Sequence, residues 1–297
     1  MTPVYLLAAP CSGASVLAGV LGQHPALYAV PELNLFLADT VGELLDIFDM
    51  GQGGHAHGLL RALAQLDHGG QSDEGVATAR NWLNARRSAA VGEVLQHLVE
   101  RVAPKRLVVP DAESPLRPMD LQRLRDARPR IECIHLLRHP WSQGVLLHAS
   151  SQGKLFVPQD YKDHSVRPPL LDPQICWLRA EHNLRALFGA RAPLLHLRGE
   201  ALDEDFDAAA RQLCEALGIS ADAASLAAMR EADQWLFAGH GPRSAPYGLE
   251  PEVLEIFAAE TLDLAAATSL TAALPWRPDS KCFAPEVQAQ ARHGGYK

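Results

Sequence analysis

The sequence predicts an α/β fold, a three-layer sandwich in which helices cover both faces of a central, mostly parallel sheet. Three observations predict it. Short apolar runs alternate with stretches of helical periodicity along the 297 residues, the pattern of strand–helix–strand units. The first run, Val4 to Ala9, is apolar throughout and closed by Pro3 and Pro10, as a strand buried on both faces requires. Hydrophobic residues make up 47% and charged residues 21%, enough for a large core and too apolar for a disordered chain.

The elements follow in order. After the first strand, Pro10 to Gly13 form a turn, and Ala14 to Leu21 a helix ended by Gly22. Leu27 to Val30 is a second short strand. Residues 35–103 are read as helical, broken at the glycine-rich stretches 51–58 and 68–72, with Ala90 to Val102 a clearly amphipathic helix. Arg106 to Val109 and Ile131 to Leu137 are strands, separated by a charged helix from Pro118 to Ala127. A helix follows Pro140 to about Ser150, and the proline-rich stretch 153–173 is expected to be an irregular lid. Pro173 to Phe188 is helical, Pro193 to Leu197 a strand, Phe206 to Leu217 a helix ended by Gly218, and Ile256 to Ala267 a further helix. One domain spanning 1–297 is expected, with 35–103 as a helical insertion or cap and 276–297 as a loosely held tail.

Bulk charge and cysteines exclude several classes. The net charge of −8 disfavours general binding to nucleic acid or to an anionic membrane, so any anionic ligand needs a local basic pocket. The five cysteines, Cys11, Cys133, Cys176, Cys214 and Cys282, are widely spaced and form no CxxC pair. Neither a disulfide framework nor a zinc site is indicated, and reduced thiols in a cytoplasmic protein are expected. His55 and His57 suggest no third metal ligand. The apolar start has no basic residue before it and is interrupted by Pro10, Ser12 and Gly13, unlike a signal peptide. Oligomeric state is not legible.

Two motifs carry chemistry. The loop Pro10-Cys11-Ser12-Gly13-Ala14-Ser15 stands between a buried strand and a helix. There main-chain amides and the helix dipole favour an anion, Gly13 permits close approach, and Ser12 and Ser15 add hydroxyl donors. The same loop also reads as a tight turn capped by Ser15. It lacks the spacing and the Gly-Lys-Ser/Thr ending of a Walker A loop, which argues against ATP chemistry. The second motif begins at Arg138, at the carboxyl end of a strand, followed by His139-Pro140 and a helix. A guanidinium there can fork onto a phosphate, or form a surface ion pair.

Residues 10–36, PCSGASVLAGVLGQHPALYAVPELNLF, resemble the start of the sulfotransferase family, whose loop reads Pro-Arg/Lys-Ser-Gly-Thr-Thr or similar, with a helix, a His-Pro and an acidic residue after it. Further segments agree in order: LVVPDAESP (107–115), IHLLRHPWSQGVLLHASS (134–151), HLRGEAL (196–202), LCEALGI (213–219) and WLFAGHGPRSAPYG (235–248). The resemblance covers about residues 3 to 250. It implies a P-loop-like fold that binds 3′-phosphoadenosine-5′-phosphosulfate and releases 3′-phosphoadenosine-5′-phosphate, after passing the sulfuryl group to a hydroxyl. It assigns the 5′-phosphosulfate to residues 10–15 and the 3′-phosphate to Arg138. Arg243, the cation of the last segment, is the candidate for a second phosphate contact. Three positions depart from the family. Cys11 stands where a cation is usual, Glu113 where a lysine is usual, and Leu146 where a serine is usual; Ser142 and Ser150 are the nearby hydroxyls.

Glu32, after the second strand, is the candidate base, and otherwise caps the helix starting near Leu35. His139 is a candidate of lower weight, read mainly as orienting the loop; His148 is another, and His24 is read as a turn residue. Three functions remain open: a sulfotransferase acting on a small or carrier-bound acceptor, a nucleotide-binding protein of the same fold without catalysis, and another phosphate-loop transferase such as a kinase. The acceptor pocket is expected from 35–103 and 153–173, with Leu155, Phe156 and Tyr161 as candidate lining.

Overall fold

A computed structural model describes residues 1–50, 54–127, 130–152, 158–190, 192–249 and 269–297. Five strands build the central sheet: β1 (Val4–Leu7), β2 (Leu27–Ala29), β3 (Arg106–Asp111), β4 (Glu132–Leu137) and β7 (Leu195–Arg198). Their order is β2-β3-β1-β4-β7, and every pairing is parallel. β1 therefore sits in the middle, with Val4 level with Val108 on one side and with Glu132 on the other. Its four residues are all buried, as its unbroken apolar run requires. The chain leaves β1 toward β2 and β3 and later returns to the other side for β4. That reversal places a crevice at the carboxyl ends of β1 and β4, where open α/β sheets hold ligands.

Helices flank the sheet. α1 (Ala14–Gly22) packs on β1, β2 and β3. Between β2 and β3 lie α2 (Val41–Met50), α3 (His57–Asp67), α4 (Asp73–Asn84) and α5 (Val91–Val102). α4 is capped by Ser72, whose hydroxyl accepts the Gly75 amide. α6 (Pro118–Asp126) follows β3, and α7 (Pro140–Ser151) follows β4, each starting on a proline that suits a first helical turn. The described part of the expected irregular lid holds a two-stranded antiparallel hairpin, β5 (Lys162–Asp163) and β6 (Leu170–Leu171). α8 (Pro173–Ala190) and β7 follow, then α9 (Ala201–Glu204), α10 (Phe206–Leu217) and α11 (Ala223–Met229). Gly218 ends α10 in the left-handed conformation, with φ of 67°. The expected helix at 256–267, Leu155 and Phe156 lie outside the described residues.

The tail departs from expectation. From Trp276 onward the chain is packed, not loosely held. Trp276, Phe283, Val287, Ala291 and Tyr296 are buried, and α12 (Pro285–His293) lies on α8. The physical reason is a second apolar core. These side chains cluster with Cys11, Leu137, Leu146, Leu147, Tyr161, Cys176 and Trp177, beside the loop that follows β1. No helix among the described residues is long and apolar enough to cross a membrane.

Candidate functional site

The loop after β1 is held from both sides. The Ala8 amide donates to the Asp111 carbonyl (3.4 Å), and the Pro10 carbonyl accepts from Gln143 Nε2 (2.6 Å). Two of its residues adopt positive φ, Cys11 at 62° and Gly13 at 87°. Gly13 does so without steric cost; Cys11 does not, so its conformation depends on the packing around it. Its thiol beds in the second core, 3.9 Å from Ser150 Oγ. The first helical bond of α1 runs from the Leu17 amide to the Gly13 carbonyl (3.0 Å), so the amides before Leu17 have no carbonyl within the helix to reach. Ser12 Oγ is buried with no hydrogen-bond partner among the described residues.

Arg138 follows β4, the parallel neighbour of β1, and the structure brings it to this loop. A methyl group built on Gly13 would have Arg138 Nη1 as its neighbour at 3.9 Å. Arg138 is buried, and its guanidinium has no hydrogen bond or ion pair among the described residues. A lone buried guanidinium is costly unless an anion joins it. Its charge is felt at the Asp203 carboxyl, whose pKa partial desolvation raises and Arg138 pulls back down.

The main chain around Arg138 is bracketed. Its carbonyl accepts Trp177 Nε1 (3.0 Å), and the next amide, of His139, donates to Glu200 Oε1 (2.8 Å). The Tyr296 hydroxyl donates to Glu200 Oε2 (2.7 Å), and its ring meets the His139 ring edge-on at 4.9 Å. His139 caps α7, its Nδ1 accepting the Trp141 amide (3.1 Å). That bond places the ring proton on Nε2, which is buried and without a partner among the described residues. Burial lowers the His139 pKa, against an opposing pull from Glu200. This geometry matches a residue that orients the strand end. Nothing in the sequence signalled the Glu200–Tyr296 bracket, because Tyr296 lies in the stretch read as a loose tail.

The other candidate positions are spread along the crevice. Glu32 follows β2; its amide donates to the Gly248 carbonyl (3.0 Å) and its Oε1 is buried. It does not cap the turn at 35–37, whose cap position is Asn34. Ser142 is buried on the first turn of α7, and Leu146, one turn on, is buried in the second core. Glu113 pairs with Arg117 at 3.6 Å. Arg243 is exposed, and the carboxyl it acts on is that of Asp73, so its neighbour is α4. His24 takes the turn role expected of it, with Nδ1 accepting the Ala26 amide and Nε2 2.9 Å from the Ser220 carbonyl oxygen. A cavity of about 120 Å³ lined by Arg130, Glu132 and Leu194 lies at the opposite, amino ends of β4 and β7.

Asp111, at the end of β3, was not singled out in the sequence. Its carboxylate accepts from the Ser114 amide (2.8 Å) and Ser114 hydroxyl (2.6 Å), which turns the chain behind the loop. Burial outweighs these bonds and pushes its pKa up from 3.8 to about 6. The native state thus binds the proton more tightly than the unfolded chain does. The stabilisation is complete below 3.8 and is lost as pH rises through about 6. Asp111→Asn keeps the accepting oxygen and removes the titration. Urea midpoints of the wild type should fall relative to the variant by an amount equivalent to about 2 kcal/mol between about pH 4 and 6.5. Parallel curves would reject this.

Comparisons with known proteins agree with the geometry. The chain matches the model described as Sulfotransferase family over residues 3–223. Among solved structures it is similar to the sulfotransferase domain from the curacin biosynthetic pathway, with TM-score 0.73 and 19% identity, covering 100% of this chain and 98% of that one. It is also similar to the sulfotransferase domain of the olefin synthase from Synechococcus PCC 7002, with TM-score 0.72 and 20% identity, covering 100% and 95%. At such identity these two show the fold. No curated protein sequence matches.

Proposed function

Because this chain belongs to the sulfotransferase family, we propose that it moves a sulfuryl group from 3′-phosphoadenosine-5′-phosphosulfate to a hydroxyl of a small or carrier-bound acceptor. One observation carries the proposal: the buried guanidinium of Arg138, without a side-chain partner among the described residues, stands beside the amide-rich loop at Gly13. The residues present fit a phosphorylated ligand there. Among the described residues Ser12 Oγ lacks a partner, and only that guanidinium comes within 4 Å of where a Gly13 side chain would begin. The nucleotide supplies an activated sulfuryl group; the chain's own residues bind it, orient it and move a proton.

In the transfer, a bond forms between sulfur and the acceptor oxygen, and the bond between sulfur and the bridging phosphate oxygen breaks. The acceptor's proton goes to the carboxylate of Glu32. β2 stands two places from β1 in the sheet. At ordinary strand spacing β2, which Glu32 follows, runs about 10 Å from β1, which leaves room for an acceptor between base and sulfuryl group. One similar structure is named as a domain from a biosynthetic pathway and another as a domain of an olefin synthase, which supports a biosynthetic intermediate as acceptor.

Calorimetric titration with 3′-phosphoadenosine-5′-phosphate and with ATP tests the site. Binding of the first and not the second is expected; the reverse result removes the assignment. Transfer of labelled sulfate to alcohols and phenols then tests catalysis. Glu32→Gln should abolish transfer and leave nucleotide affinity within about twofold, since a neutral amide keeps shape and loses the base. Surviving transfer would place the base elsewhere. A second reading, a nucleotide-binding protein without catalysis, draws on Cys11, Glu113 and Leu146. The first and last lie in an apolar cluster, and the second is ion-paired. Nucleotide binding with no transfer to any acceptor would favour it.

A further inference from the structure

We propose that Tyr296 is a positioning residue of the nucleotide site: its hydroxyl occupies Glu200 and so keeps the Arg138 guanidinium free for an anion. This rests on the sulfotransferase reading and holds whichever phosphate Arg138 meets.

The local sequence fixes Tyr296 in place. α12 ends at His293, and Gly294, Gly295 and Tyr296 follow. The Gly295 amide donates to the Arg292 carbonyl (3.0 Å), and the Tyr296 amide to the Ala291 carbonyl (3.1 Å). Gly295 turns between them with φ of 90°. This pair of bonds reverses the chain at a helix end, in a conformation that a Cβ would resist. Gly294 lies so close to β4 that a methyl on it would collide with Leu137 Cδ2. The reversal thus delivers Tyr296 to the end of β4. There it is buried, with its ring edge-on to His139 at 4.9 Å and the Arg198 guanidinium 5.8 Å from its centre.

What Tyr296 holds controls Arg138. The two planar peptide groups flanking Arg138 set its backbone angles. In the first, the Leu137 carbonyl accepts the Gly199 amide (2.8 Å), with the Tyr296 hydroxyl at 3.3 Å. In the second, the His139 amide donates to Glu200 Oε1 (2.8 Å). The Tyr296 hydroxyl donates to Glu200 Oε2 (2.7 Å). One proton cannot serve two acceptors fully, and the nearer, charged carboxylate takes it. Burial, and after it the Glu200 charge, raise the Tyr296 pKa, so the hydroxyl remains a donor at neutral pH. Both Glu200 oxygens are thereby occupied.

Without that hydroxyl, Glu200 has a stronger partner close by. Beyond the burial that raises the Asp203 pKa, Arg138 lowers it and Glu200 raises it, so the three share one neighbourhood. Arg198, the other cation beside Tyr296, is already paired with Glu204 (2.7 Å). A buried guanidinium and a carboxylate with a free oxygen attract strongly where water is scarce. Such a pair would draw the guanidinium from Gly13 and make Glu200 a rival of the nucleotide. Only the fraction of molecules with that pair open would bind.

Calorimetry with 3′-phosphoadenosine-5′-phosphate would compare wild type, Tyr296→Phe, Glu200→Gln and the double variant. Tyr296→Phe keeps the ring and loses the hydroxyl, and affinity is expected to fall about tenfold. Glu200→Gln keeps an oxygen for the His139 amide and removes the charge that competes for Arg138. Adding it to Tyr296→Phe should return affinity to within about threefold of wild type. Melting of free Tyr296→Phe should stay near that of wild type, because the freed carboxylate finds Arg138. A tyrosine of merely structural value would lower melting and show no such rescue. A loss that Glu200→Gln does not relieve, or a Tyr296→Phe affinity within about twofold of wild type, overturns the inference and leaves the sulfotransferase reading intact. Wild type that binds no bisphosphate overturns that reading, and the inference with it.

Discussion

Replacing Arg277 with alanine should cost the chain about 3–5 kcal/mol of stability, the largest effect expected of any single substitution here. The Arg277 guanidinium is 3% exposed and binds three carboxylates. Its Nη1 contacts Asp163 at 3.0 Å and Asp172, and its Nη2 contacts Asp279 at 2.7 Å. Asp172 also accepts Trp276 Nε1 (3.1 Å) and Gln174 Nε2 (2.8 Å). Truncation strands a buried carboxylate, with neutral donors alone to hold it. The network joins β5 and the residue after β6 to the C-terminal segment, so its loss frees that segment from the hairpin.

The pH dependence has a definite sign. The hydrogen bond from Arg277 holds the Asp279 carboxyl below its usual range, and those from Ser165 and Arg277 do the same for Asp163. Stability from these groups is present above the ordinary carboxylate range and is lost as pH falls through the depressed values. Urea unfolding at neutral pH and in acid would measure both effects. A loss under about 1 kcal/mol for Arg277→Ala at neutral pH would show that the network is worth no more than a surface pair. Arg277→Lys, which keeps the charge and loses the fork, should fall between.

Gly58→Ala should lower turnover by about a hundred-fold while nucleotide affinity stays near that of the wild type. Three backbones meet at this point. A methyl on Gly58 would lie 2.0 Å from the Glu32 carbonyl oxygen and 3.1 Å from Pro31 Cβ. From the other side Gly248 approaches so closely that a methyl on it would lie 2.6 Å from Gly58 Cα. No rotamer relieves a clash between main chains, so the Glu32 peptide must move. Strain of this kind costs about 1–3 kcal/mol in stability. It also displaces the carboxylate that is to take the proton, whereas Gly13 and Arg138 follow other strands, β1 and β4. The segment bearing Gly248 cannot simply withdraw. Arg61, buried on α3, donates to the carbonyls of Phe237 (2.9 Å) and Tyr247 (3.1 Å). Burial lowers the Arg61 pKa to about 10, so the guanidinium stays charged at neutral pH. Steady-state kinetics set beside calorimetry would decide; full turnover in Gly58→Ala would separate Glu32 from catalysis.

Much of the architecture was legible because it is local. Val4–Leu7 is an unbroken apolar run and Glu132–Leu137 a mainly apolar one, and the structure sets them side by side as parallel strands. The loop at 10–15 was legible because a short strand, a glycine and a helix follow one another without a gap. Arg138 was legible as the residue where a strand stops before His139-Pro140. The tail was misread because Trp276, Phe283 and Tyr296 carry no helical or strand period. Their burial depends on a surface made by α7 and α8. Arg61 was passed over because a charge on a helix reads as a solvated face, yet it is 1% exposed.

The sequence by itself determined the parallel α/β plan, the anion-ready loop after β1 and the family. Apolar runs, glycines and prolines act on the backbone within a few residues. Only the tertiary structure decided which buried arginine has no side-chain partner among the described residues. Arg61, Arg138 and Arg277 look alike along the chain; one meets carbonyls, one meets carboxylates and one faces Gly13. Pairing of charges is set by distances between residues far apart in sequence, and no local pattern encodes them.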